Sequence, residues 1–230
     1  MIAIENKISS AVLSTVWGII NFYNKVGLPV VSTGRPFSFY RKVFFNNRSE
    51  PEVFECLKDK TVADIGCGLT PFIEDSMFQA CIKQGIRFFG VDPKLEEELQ
   101  FDKTDSMWSR IAGANHSPKL DLQVEDKAVG AYADQLPFAD ESIDMILSSW
   151  LLFTWIREPD LLADIFTEFD RTLKPGGRIS IYPALDWETL TSDYPRLLKI
   201  FSGYQKKHEF FPLVRSGGLP FSCSLHLTKK

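Results

Sequence analysis

From residue 61 to residue 182 the chain alternates short apolar runs with amphipathic stretches of helical repeat. Thr61–Ile65, Ile86–Val91, Ala128–Tyr132, Ile143–Ser148 and Arg178–Tyr182 are apolar-rich runs bounded by Gly, Pro, Asp or Ser, and the pattern predicts buried strands. Between them, Ile73–Gln84 and Glu158–Leu173 have helical spacing. The first has Pro71 suited to its opening turn and Gly85 as its stop. The second is closed by Lys174-Pro175-Gly176-Gly177. Near the C-terminus a helix is predicted around Tyr194–Phe201. Two strands follow, Glu209–Val214 and Phe221–Thr228, separated only by the "RSGGLP" turn and therefore forming an antiparallel hairpin. Residues 1–58 read as helical segments broken at Gly27-Leu28-Pro29 and Gly34-Arg35-Pro36.

Strands that alternate with helices through short connections imply a parallel sheet wound in both directions. The expected fold is α/β: a doubly wound, Rossmann-like, mostly parallel seven-stranded sheet. One antiparallel strand comes from the C-terminal hairpin, and an N-terminal helical lid is added. Residues 1–58 form the cap and residues 59–230 the main domain. Ligands of such sheets bind at the carboxyl ends of the strands, where the strand order reverses.

Composition narrows the partners. Hydrophobic residues make up 44% and charged residues 24%, as in an ordinary globular protein, and the net charge of −4 offers no basic face for nucleic acid. Four cysteines, Cys56, Cys67, Cys81 and Cys223, lack CxxC spacing and do not pair with histidines, so no metal site is expected. Reduced, buried thiols place the expectation in the cytoplasm. The apolar segment Ala11–Val31 is interrupted by Asn21, Asn24, Lys25 and Gly27 before it reaches spanning length. A buried amphipathic helix is favoured there over membrane contact.

The chemistry concentrates at "VADIGCGLTPF", residues 62–72. A dinucleotide fingerprint needs a third glycine where Pro71 stands, and a P-loop needs a following GK[ST]; neither is present. A ligand with a positive centre fits better. Asp64 can attract an ammonium, while Gly66 and Gly68 let the backbone come close. Asp92, ending the second strand, can accept both hydroxyls of a ribose. Asp134, in "YADQLPF", can accept from an exocyclic amine. Three carboxylates at successive strand ends suit S-adenosylmethionine, which carries a sulfonium and an ammonium.

With these residues in place, the chain resembles the class I S-adenosylmethionine-dependent methyltransferases of the methyltransferase type 11 kind. "VADIGCG" is similar to their first motif and "FFGVDP" to their acidic second-strand end. "ADQLPFADESIDMILSSW" resembles their adenine loop and fourth strand, and "DRTLKPGGRISIY" their fifth-strand entry. The resemblance implies S-adenosyl-L-methionine as cofactor and S-adenosyl-L-homocysteine as product. It implies that Asp64, Gly66, Cys67 and Gly68 flank the methionine end, with Ser149 on the same side. Asp92 and Pro93 would meet the ribose, and Asp134, Gln135 and Leu136 the adenine. Two departures stand out: Thr70 where many members have a glycine, and an insertion at about 94–127.

The acceptor side falls to the variable parts, with residues 1–58 as its cap. "RPFSFYRKVFF" and the Trp150, Phe153 and Trp155 cluster are aromatic enough to cover a planar or apolar small molecule, and they equally suit plain core packing. Phe37, Tyr40, Trp150, Tyr182 and Asp186 are the substrate-site candidates. His116, His208 and Tyr182 are the candidates for a base, although each histidine also reads as an ordinary surface residue. An "NPPY"-type tetrapeptide is absent after the fourth strand, where "SSWL" stands. The expectation is O- or N-methylation of a small molecule by in-line displacement. The alternative is a non-catalytic binding or regulatory protein of the same fold.

Overall fold

The computed structural model describes residues 2–26, 33–96, 99, 101, 103–212 and 218–230; for residues 2–7, 23, 24 and 125 only the backbone is described. Seven strands form one sheet: β1 (Thr61–Ile65), β2 (Arg87–Val91), β3 (Ala128–Val129), β4 (Ile143–Ser149), β5 (Leu173–Tyr182), β6 (Tyr204–Phe211) and β7 (Ser222–Lys229). Their order is β3-β2-β1-β4-β5-β7-β6. The first five run parallel, and β7 lies antiparallel to both neighbours. Every residue of β1 is buried, as a central parallel strand covered on both faces requires. The order reverses between β1 and β4, which opens a crevice at their carboxyl ends.

Among the described residues, eight helices accompany the sheet: α1 (Ile2–Lys25), α2 (Phe37–Phe44), α3 (Glu50–Leu57), α4 (Met77–Lys83), α5 (Lys103–Ile111), α6 (Pro159–Thr172), α7 (Trp187–Asp193) and α8 (Pro195–Phe201). On one face Phe166 and Phe169 of α6, Phe201 of α8 and Leu13 of α1 share a core with Ile146 and Ile179. On the other, Phe39, Tyr40 and Val43 of α2 pack with Phe78 of α4, Val62 and Met145. The N-terminal helices thus belong to the cores of the sheet. α1 is tied to the segments after β4 and β5. Trp17 Nε1 donates to the Phe153 carbonyl at 2.7 Å, and Ser10 Oγ donates to Asp186 at 2.5 Å.

Several boundaries differ from the sequence pattern for local reasons. α4 begins at Met77 because the Ser76 side chain accepts the Gln79 N–H at 3.1 Å, while Pro71 sits in a separate 3-10 turn, Thr70–Phe72. β3 stops after Val129 because Gly130 passes against the chain at Glu96, where a Cβ would stand 2.7 Å from its backbone nitrogen. β6 starts earlier, at Tyr204. Its polar residues "QKKHE" form an edge strand that pairs residue for residue with β7. α7 was hidden in the sequence; its signal is the N-cap Asp186, which accepts the Thr189 N–H at 3.0 Å. Val214, the Gly27-Leu28-Pro29 break and part of the "RSGGLP" turn lie outside the described residues.

Candidate active site

The glycine-rich turn after β1 is built by close packing. Gly66 and Gly68 have φ of +74° and +54°, and a Cβ on Gly66 would stand 2.7 Å from the Leu151 side chain. Above Gly90 of β2 lie Cys67 Sγ and Pro71, which would approach a Cβ there to 3.0 and 2.9 Å. Pro71 therefore fills the space that a larger residue at position 90 would need. The Gly66 N–H bonds the Val91 carbonyl at 2.8 Å. Asp92 accepts the Gly68 N–H at 3.0 Å on one oxygen and the Lys94 N–H at 3.0 Å on the other, locking the turn to the end of β2. Burial pushes the Asp92 carboxyl above its ordinary range, against these two N–H bonds. Thr70, in place of a glycine, accepts the Arg35 N–H at 3.3 Å, and Gly34 donates to Ser109 of α5 at 3.2 Å. Residues 33–35 are a strap pinned at both sides of the crevice.

Beneath the turn lies a buried charge cluster. Asp64 is fully buried; the Tyr40 hydroxyl donates to its Oδ2 at 2.5 Å, and its Oδ1 is buried with no hydrogen-bond partner. The guanidinium of Arg35, 7% exposed, lies 4.8 Å from the Phe39 ring and 5.1 Å from the Trp150 ring. Burial raises the Asp64 carboxyl to about 7, although the Tyr40 bond and the Arg35 charge oppose it; the Asp92 charge adds to the rise. Burial also lowers Arg35 to about 10, with Tyr40, Tyr182 and Asp64 acting in the other direction.

The crevice is a cavity of about 630 Å³, within the range of small-molecule sites. Gly66, Gly68, Arg35, Asp92, Ser149 and Trp150 are part of its lining. Val16, Ile19 and Ile20 of α1, with Trp108 of α5 and Trp155, form apolar walls. Ile19, Ile111 and Tyr132 stand at the mouth, 55%, 59% and 64% exposed.

Of the residues singled out in the sequence, Gly66, Cys67, Gly68, Asp92, Pro93, Ser149 and Trp150 line this cavity, with Asp64 and Tyr40 bonded behind it. The loop after β3 reaches the cavity through Ala131, Tyr132 and Ala133, whereas Asp134, Gln135 and Leu136 lie outside its lining. The Gln135 N–H bonds the Tyr132 carbonyl at 3.1 Å, and the Leu136 N–H bonds Glu168 at 2.8 Å. Phe37 packs against Phe54, with ring centroids 5.5 Å apart. The Tyr182 hydroxyl meets Ser222 at 2.8 Å and accepts the Leu219 N–H at 2.7 Å. Asp186 is held by Ser10 and Thr189 at the start of α7. His116 stands 3.8 Å from Glu74, and His208 lies 3.1 Å from the Leu185 carbonyl, both outside the cavity lining. Sequence reading missed Arg35. Its signal was a single cation inside the aromatic run "RPFSFY". No group of His, Cys, Asp and Glu among the described residues could hold a metal ion, and no described helix is long and apolar enough to cross a membrane.

The site fits an adenosyl amino-acid cofactor on its own terms. An orphaned buried carboxylate oxygen at Asp64 awaits a donor, and the glycine turn with Gly66 and Gly68 lines the cavity beside it. Residues 63–181 match the methyltransferase domain family. No curated protein matches the chain. Solved structures with a similar outline include an S-adenosylmethionine-dependent methyltransferase of Thermotoga maritima, described as a possible histamine N-methyltransferase. It is 18% identical, with 84% of this chain and 93% of that one covered and a TM-score of 0.41. Another, from Archaeoglobus fulgidus, is 16% identical over 84% and 99% of the two chains, with a TM-score of 0.45. A third, from Methanosarcina mazei, is 18% identical over 79% and 98%, with a TM-score of 0.44. The family match spans more than half of the chain and includes the glycine turn, Asp92 and β4, so the chain belongs to the class I S-adenosylmethionine-dependent methyltransferases and takes S-adenosylmethionine as its cofactor.

Proposed function

We propose that the protein methylates a small, apolar acceptor at oxygen or nitrogen by in-line displacement. The observation that carries this reading is the mixed lining of the crevice. The glycine turn and Asp92 share it with apolar residues of α1 and α5 and with Trp150 and Trp155. S-adenosylmethionine, when bound, supplies an activated methyl group on a sulfonium with a good leaving group.

The chain's own residues then have three tasks. Arg35, in the cavity lining, and Asp64, bonded to Tyr40 just behind it, are opposite charges that match the carboxylate and the ammonium of an amino-acid moiety. Asp92 keeps lone pairs free for ribose hydroxyls, because each of its oxygens accepts only one backbone N–H. The adenine would rest against the loop at Ala131–Ala133, with Asp134 at its edge. The apolar walls exclude water and hold the acceptor atom in line, and such positioning supplies roughly 7–11 kcal/mol at its best.

Arg35, Cys67, Asp92 and Tyr132 are the ionisable side chains among the described lining residues, and burial pushes the Cys67 thiol well up. A free-base amine or an acidic phenol, which needs little help in losing its proton, is the acceptor best served by such walls. The reading is tested by calorimetry with S-adenosylmethionine and S-adenosylhomocysteine, followed by incubation of the labelled cofactor with panels of lipophilic amines and phenols. Tight cofactor binding with label transferred to one class is expected. Absence of binding by either nucleoside at millimolar concentration overturns the enzyme reading. Binding without transfer to any acceptor favours a regulatory protein of the same fold.

A further inference from the structure

A second cavity, of about 350 Å³, opens beside Arg178 in the middle of β5 and shares no lining residue with the cofactor crevice. Arg48, Arg178, Lys207, Glu209 and His226 line it, over a floor of Phe44 and Phe45. Nothing in the methyl-transfer chemistry uses these residues. Arg178 projects from β5 beside Thr228 of β7, and its Nε is buried with no hydrogen-bond partner. Its guanidinium lies over the Phe45 ring, 5.8 Å from the centroid, and its Nη2 is 3.5 Å from the Phe44 carbonyl and 3.7 Å from Met145 Sδ. His226 is occupied, with Nδ1 2.9 Å from Ser180 Oγ and Nε2 3.6 Å from the Glu209 carboxylate.

Charge decides what the cavity would take. Burial lowers the His226 pKa below its ordinary 6.5, so the ring is neutral at pH 7. Lys206 also borders the space, with its ammonium over the Trp187 ring, 4.2 Å from the centroid. Arg48, Arg178, Lys206 and Lys207 together face one carboxylate, Glu209, which leaves three net positive charges around the space. A phosphate monoester carries about −1.5 to −2 at pH 7 and offers three acceptor oxygens. Guanidinium groups meet such oxygens with a fork of donors, and Arg178 has one donor unspent.

We propose that this cavity is a binding site for a phosphate group, separate from the cofactor site. A free phosphate ion and a phosphorylated metabolite share the chemistry, and the 350 Å³ volume admits either. The test is calorimetry on the full chain in a phosphate-free buffer, with inorganic phosphate in one arm and a nucleoside 5′-monophosphate in the other. Saturable one-to-one binding in at least one arm is expected. The Arg48→Gln and Lys207→Gln double variant, altered only at exposed positions, should weaken it by about tenfold or more. Its affinity for S-adenosylhomocysteine and its melting temperature should stay at the wild-type level. Binding in the phosphate arm alone identifies the ion, and binding in the ester arm alone identifies a metabolite. Saturation in neither arm, or a double variant that binds as well as the wild type, overturns the proposal. A failed methyl-transfer assay leaves it standing, because the readout here is phosphate affinity.

Discussion

Replacing Asp64 with asparagine should stabilise the cofactor-free protein while removing its purpose. The buried carboxyl is raised from 3.8 to about 7. Between those values the folded chain holds a proton on Asp64 that the unfolded chain has released, so wild-type stability falls as pH rises. The fall continues through about three pH units at 1.36 kcal/mol each, or about 4 kcal/mol in all. The amide introduced by Asp64→Asn does not titrate, and every other group is common to both proteins. The stability difference, variant minus wild type, should therefore grow by up to about 4 kcal/mol from pH 4 to pH 8. Urea unfolding of both proteins across that range measures it directly, free of the titration of other residues. With S-adenosylhomocysteine present, the wild type should regain much of the loss, while D64N should bind far more weakly. A stability difference that stays constant with pH refutes the argument, because Asp64 would then ionise as easily in the folded chain as in the unfolded one.

Three further outcomes follow from the same geometry. Arg35→Met should weaken S-adenosylhomocysteine binding by about tenfold or more, yet barely change affinity for 5′-methylthioadenosine, which lacks the amino-acid group; equal losses for both would remove the carboxylate role. Asp92→Ala orphans the Gly68 and Lys94 N–H groups as well as the ribose contact, and should cost at least about tenfold in cofactor affinity by calorimetry. An unchanged affinity rules out its role at the ribose. Gly66→Ala forces a Cβ to 2.7 Å from Leu151 at φ +74°, and denaturant unfolding should show a loss of about 1–3 kcal/mol; wild-type stability in that variant contradicts the packing described for the turn.

The sheet was legible because its signals are local. β1, β2, β4 and α6 lie within one residue of their predicted ends, since apolar runs and Gly or Pro punctuation mark them directly. α4 was read four residues too early because a serine cap and a proline turn both look like helix starts in a linear text. The glycine turn and its carboxylates were legible in the site. The partners of Asp64 were not, because the Tyr40 hydroxyl reaches it across 24 positions and the Arg35 charge beside it is held over the Phe39 and Trp150 rings. The aromatic run around them is core and site wall together, and hydrophobic pattern alone does not separate those uses. Leu136 gives a parallel case: its N–H is taken by Glu168, 32 positions later, a partner with no trace in the local motif.

The strap at residues 33–35 makes this methyltransferase poorly modular. The family signature spans residues 63–181, but the groups that face Asp64 come from residues 35 and 40, and the hydroxyl that anchors the strap comes from Thr70. Grafting the signature region into another scaffold would carry the glycine turn along and leave its electrical counterweight behind. Exchange of domains among relatives would succeed only where the segment ahead of β1 travels with it, so the smallest transferable unit is longer than the smallest recognisable one.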